Sequence, residues 1–101
     1  MRSLFDDTLD AKFREFHELN PEVYDAFDRF TREALRAGAR RLGAKLVWER
    51  IRWYTQIEAR GTAAEGFKLN NNYHAFYARL WMQRNPQHST LFETRRQRSS
   101  A

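Results

Sequence analysis

Helix-breaking residues are so sparse in this chain, two prolines and four glycines in 101 residues, that it has few places to turn. Most of the remaining residues are good helix formers, which makes helices the natural solution. Both prolines follow an asparagine, at 20–21 and 85–86. The residue before a proline is pushed out of the helical region, so each pair ends a helix. At this length there is room for one domain and one core. A chain so short buries only roughly 60–65% of its unfolded surface, and its stability must rest on dense packing of large side chains. Eight Phe, four Tyr and three Trp supply them. Hydrophobic content of 42% beside charged content of 31% fits a globular domain rather than a disordered chain.

Apolar spacing divides the chain. Phe5, Leu9, Phe13 and Phe16 recur at intervals of four, four and three, one stripe of a helix over residues 5–19. Asp6, Asp7 and Asp10 sit in its first turns, where the helix dipole favours negative charge. Asn20 then reads as the N-cap of a second helix with Pro21 at its first position. Val23, Phe27, Phe30, Ala34 and Ala37 line its buried face, and Gly38 closes it. A third helix over 44–59 buries Val47, Ile51, Tyr54 and Ile57, with Trp48 beside the stripe and Trp53 near its edge. Residues 61–66 read as a flexible loop and 67–69 as a short extended segment. Asn70, Asn71 and Asn72 mark the start of a fourth helix over 72–84 that buries Tyr73, Phe76, Tyr77 and Leu80. Residues 91–94 read as a short strand or a docked extension, and 95–101 as a disordered basic tail. The expected fold is all-α: a single small domain over 1–94 of about four helices, helix-turn-helix-like, with a minor β element.

Several function classes drop out. Without cysteine there are no disulfides and no thiolate metal sites. The first ten residues are acidic and lack the apolar core of a signal peptide. No apolar run approaches the roughly 18–20 residues that cross a bilayer, so a cytoplasmic protein with no membrane partner is expected. His17, His74 and His88 lack metal-ligand spacing, and the plainer reading makes them surface or half-buried side chains. There is no Gly-rich phosphate loop and no recognisable nucleophile or acid/base pair. The expectation is a non-enzymatic protein without metal or cofactor.

Charge is unevenly distributed. Residues 1–37 hold six Lys and Arg against nine Asp and Glu, whereas residues 38–101 hold twelve against four. A basic half is the footprint of a phosphate-backbone binder, although small Arg-rich proteins are also basic for solubility alone. On the first reading the chain binds nucleic acid, double-stranded DNA in particular. Asn71, Asn72, His74 and Arg79 on the outer face or first turn of the fourth helix would contact bases. Arg40, Arg41, Lys45 and Arg52 would hold phosphates, joined by Lys68, Arg95, Arg96 and Arg98. Against it, residues 61–69 make a longer connection than a helix-turn-helix normally has, and the three Asn also suit helix capping. On the second reading the chain docks onto a host protein with Trp48, Trp53 and Trp81 as anchors, since Trp and Arg dominate interface hot spots. Trp and Tyr at helical spacing are also ordinary core residues. A symmetric homodimer through the fourth helix is compatible with either.

Phe16-His17, Asn20-Pro21 and Val23-Tyr24, then Glu49-Arg50-Ile51-Arg52-Trp53, Phe67-Lys68-Leu69-Asn70-Asn71-Asn72, Tyr77-Ala78-Arg79 and Pro86 with Leu91-Phe92 stand in this order along the chain. On those residues the chain resembles a family of short, largely uncharacterised proteins of phages, prophages and bacteria, over roughly residues 13–95. The resemblance implies a mobile-element setting, in which small basic helical proteins commonly regulate DNA or bind host machinery, and implies no particular activity.

Overall fold

The computed structural model describes residues 4–58 and 73–93, with side chains from residue 9 onward. Four helices run in chain order: α1 (Leu4–Leu19), α2 (Pro21–Arg36), α3 (Ala44–Trp53) and α4 (Tyr73–Arg84). A π-helical turn, Tyr54–Glu58, continues α3, and a short 3-10 turn, Pro86–His88, follows α4. No β-strand forms among the described residues; the β element is a single parallel bridge between Leu42 and Phe92. The protein is all-α.

Tyr77 on α4 is the centre of the core. Its ring meets Phe13 of α1 edge-on at 4.8 Å, Phe27 of α2 at 5.9 Å and Trp48 of α3 at 5.6 Å, so one side chain joins all four helices. Phe76 stacks on Phe13 at 4.7 Å, and Phe92 fills the far end against Phe27 and Trp81. Burying this many aromatic rings, in offset and edge-to-face pairs, is how a short chain gathers enough apolar area. The α1 stripe holds at Leu9, Phe13 and Phe16; the side chain of Phe5 lies outside the described residues.

Both Asn-Pro pairs end helices, but by a different device from N-capping. Asn20 makes no cap bond to α2; its side-chain Nδ2 donates to the Phe16 carbonyl at 3.0 Å. Asn85 repeats this at the end of α4, donating to the Trp81 carbonyl at 2.8 Å. At Phe16 the amide is a second donor beside the Asn20 backbone N–H, 2.9 Å from the same carbonyl; at Trp81, where the Asn85 backbone N–H turns to Met82 at 3.3 Å, the amide takes up the last-turn carbonyl. At the end of α2, Gly38 takes φ +102, with its N–H on Leu35 and that of Ala39 on Ala34. These two bonds close the helix in a Schellman motif.

Four burial expectations change. On α2, Thr31 rather than Ala34 or Ala37 joins Val23, Phe27 and Phe30 in the interior, because the helix ends against solvent at Ala37. On α4, Trp81 replaces Leu80 on the buried line, since its indole N–H finds a carboxylate at Asp28, 2.8 Å away. Ile57 is 51% exposed: the wider π turn beginning at Tyr54 shifts the register, and Thr55 points inward instead, its hydroxyl donating to the Arg52 carbonyl at 3.1 Å. Trp48 and Trp81 are both 0% exposed, so neither can anchor a partner. The segments 61–66, 67–69 and 95–101 lie outside the described residues.

Candidate functional site

The linker between α2 and α3 is pinned by the C-terminal segment. Leu42 donates its backbone N–H to the Leu91 carbonyl at 3.0 Å, while Leu91 and Phe92 are buried. This clamp holds Arg41 on one side of Leu42 and the start of α3 on the other, both facing α4. On α4, the pairs 74/78, 75/78 and 75/79 are three or four apart, which sets these four positions along one side of the helix. Gly43, Ala44, Ala75 and Ala78 are small, and an open groove of about 790 Å³ remains between the two walls. Arg41 and Lys45 line one wall, His74 and Arg79 the other, and Glu93 is the one carboxylate among the described lining residues.

Three fixed positive charges therefore face one negative charge across a cleft with low-dielectric walls, the arrangement that concentrates a positive potential. Arg79 is steadied by the Phe76 ring, whose centroid lies 5.2 Å from its guanidinium carbon. His74 is half-buried, and burial, then the nearby charge of Lys45, lowers its pKa below the ordinary 6.5. Its Nδ1 is shut from solvent with no hydrogen-bond partner among the described residues. The groove thus presents cations and a neutral imidazole at pH 7, a surface suited to an anion. Among the described residues, no three His, Cys, Asp or Glu stand close enough together to hold a metal ion.

Of the residues singled out in the sequence, the fold brings together Arg41, Lys45, His74 and Arg79. Arg40 is exposed beside a separate shallow hollow with Gln87 and His88. Arg52 stands off the groove and donates to Glu49 at 2.8 Å. Lys68, Asn71, Asn72, Arg95, Arg96 and Arg98 lie outside the described residues. Sequence reasoning missed Glu93, Gly43 and Ala44; the small residues facing Ala75 and Ala78 were the available signal for a concavity.

The chain matches no protein-family model, no curated protein and no solved structure. No described helix is long and apolar enough to cross a membrane.

A second surface lies on α3. Leu46 (64% exposed), Trp53 (56%) and Ile57 turn away from the core along its outer side. Leu46 also borders an apolar hollow of about 290 Å³ against α2, lined by Phe30, Ala34, Ala37 and Val47 between Glu33 and Arg50. Trp53 is the one of the three tryptophans available to a partner.

Proposed function

We propose that this protein is a non-enzymatic nucleic-acid-binding module, DNA-binding in the first instance, that seats a phosphate backbone in the groove between the start of α3 and α4. The observation that carries this reading is the convergence of Arg41, Lys45 and Arg79 from separate parts of the chain on one open cleft, with Glu93 the one carboxylate among its described lining residues. In this reading α4 is the helix-turn-helix-like recognition element: Arg41 and Lys45 hold phosphate, and His74 and Arg79 reach toward base edges or the backbone. The resemblance to phage and prophage proteins implies a mobile-element setting and no particular activity.

The test is fluorescence anisotropy with short random-sequence duplex and single-stranded DNA across a salt series. Neutralising three phosphates gives a slope of log K against log salt of about −3. Salt-insensitive binding, or none at low salt, removes the reading. The exposed Leu46, Trp53 and Ile57 favour a second reading, in which the chain docks onto a host protein through α3.

A further inference from the structure

We propose that the groove takes up a proton at His74 when it binds a phosphate backbone, so that nucleic-acid affinity rises as pH falls from about 8 to about 6. The inference rests on the nucleic-acid reading above and concerns the regulation of the same site.

His74 occupies the first turn of α4 as described and forms part of the groove wall. Among the described residues, the charged groups that line the groove with it are Arg41 and Lys45 from the linker and α3, Arg79 from its own helix, and Glu93 after α4. With the groove empty, burial opposes a charge on His74, and the nearby charge of Lys45 opposes it further. A proton on Nδ1 would also sit in a spot without an acceptor among the described residues. The free protein therefore holds His74 neutral at pH 7.

A duplex changes the sign of the field. It carries one negative charge per roughly 1.7 Å of its axis, and a phosphate run lying between Lys45 and Arg79 outweighs the groove's own charge. The imidazolium then becomes the favoured form. Because binding favours the proton, the proton favours binding to the same degree. Each pKa unit by which His74 rises on binding strengthens affinity by up to about tenfold over the window between its free and bound values. The other two histidines stand elsewhere. His17 lies half-buried among Phe13, Tyr24 and Tyr77, and His88 packs on Trp81.

The experiment is an anisotropy titration of the full chain with a short random-sequence duplex at about pH 6, 7 and 8, at constant ionic strength and low salt. Wild type and His74→Gln are compared, with His88→Gln as a control. The expected result is tightening of about three- to tenfold toward pH 6 in wild type and His88→Gln, and binding in His74→Gln that does not change with pH, whatever its level at pH 8. An NMR titration of the His74 ring in the wild-type protein, with and without duplex, does not depend on the variant folding and should show its midpoint moving up on binding. An unmoved midpoint, or the same pH dependence in His74→Gln as in wild type, overturns proton uptake while leaving nucleic-acid binding intact. No binding at any pH overturns the nucleic-acid reading itself, and this inference with it.

Discussion

The indole N–H of Trp81 donates to Oδ1 of Asp28 at 2.8 Å, and the same oxygen accepts from Nε of Arg32 at 2.9 Å. Trp81 is fully buried, whereas the Asp28 side chain keeps partial access to water. Arg32 then reaches Oδ1 of Asn85 at 2.9 Å, and Asn85 returns to the Trp81 carbonyl. Four residues of two helices and the turn after α4 thus close a ring of bonds around one tryptophan. The ring lets the largest side chain type sit in the interior with its polar atom satisfied, and it fixes how α4, and with it one wall of the groove, lies on α2.

Asp28→Ala should accordingly destabilise the protein by about 1–3 kcal/mol, since it leaves a buried indole N–H without its acceptor. Asp28→Asn retains an acceptor and should lose less. Urea denaturation of the two variants checks the order; equal losses would mean that the bond to Trp81 contributes nothing.

Trp48 offers the opposite case. It is as buried as Trp81, but its Nε1 has no partner among the described residues. Replacing either with Phe leaves a similar cavity, yet only at position 81 does it also break a hydrogen bond to a charged group. Trp81→Phe should therefore cost about 1–2 kcal/mol more than Trp48→Phe, a difference that paired chemical denaturation curves would read directly.

How much of this was legible in the sequence follows from the range of the forces involved. Helix positions, the α1 stripe, the Gly38 cap and the Asn-Pro breaks are local, and periodicity with turn chemistry foretold them. The Asn20 side chain bonds backward to Phe16 rather than forward into α2, a choice between two nearby backbone groups that composition does not decide. Ile57 was expected inside because a regular 3.6-residue period was continued through residues that form a π turn. Trp81 stood outside the expected buried face, and served as an anchor in the docking reading alone, because its acceptor, Asp28, lies 53 residues away. The same limit applies to the groove: charge and spacing singled out Arg41, Lys45, His74 and Arg79 one by one. Contacts between distant segments, the packing of α3 on α4 through Trp48 and Tyr77 and the Leu42–Phe92 clamp, make them neighbours and add Glu93.

Stability should depend on pH through His17. Its ring stacks on Phe13, its Nδ1 lies 3.4 Å from the Tyr77 hydroxyl, and burial followed by the charge of Arg84 lowers its pKa. The unfolded chain, with His17 near 6.5, then binds more protons than the folded one. The stabilisation is complete above that value and is lost as pH falls through the lower folded value. Denaturation midpoints should drop from neutral pH toward about pH 5, and His17→Gln should shallow that decline, with His74 supplying part of what remains. A midpoint that rises on acidification would contradict the sign of the shift.

The groove reading makes a graded prediction. Arg79→Ala and Lys45→Ala should each weaken duplex binding and reduce the salt slope by about one. Arg52→Ala, whose guanidinium is engaged with Glu49 away from the groove, should leave the slope unchanged. Equal losses at all three positions would indicate a diffuse basic surface rather than a seat between α3 and α4.

Trp53 separates the two functional readings. It is 56% exposed on α3, as Leu46 and Ile57 are also exposed, so Trp53→Ser should change stability by no more than about 0.5 kcal/mol. If the groove alone carries function, the variant binds duplex DNA as the wild type does, and its sedimentation is unchanged. If α3 is instead a docking face, for a host protein or a second copy of the chain, the large exposed aromatic is its natural hot spot. Concentration-dependent sedimentation of the wild type that disappears in Trp53→Ser would then establish self-association through α3, a surface distinct from the α4 groove. Loss of DNA binding in the same variant would tie the two surfaces together, making α3 pairing a condition for the groove to engage a duplex.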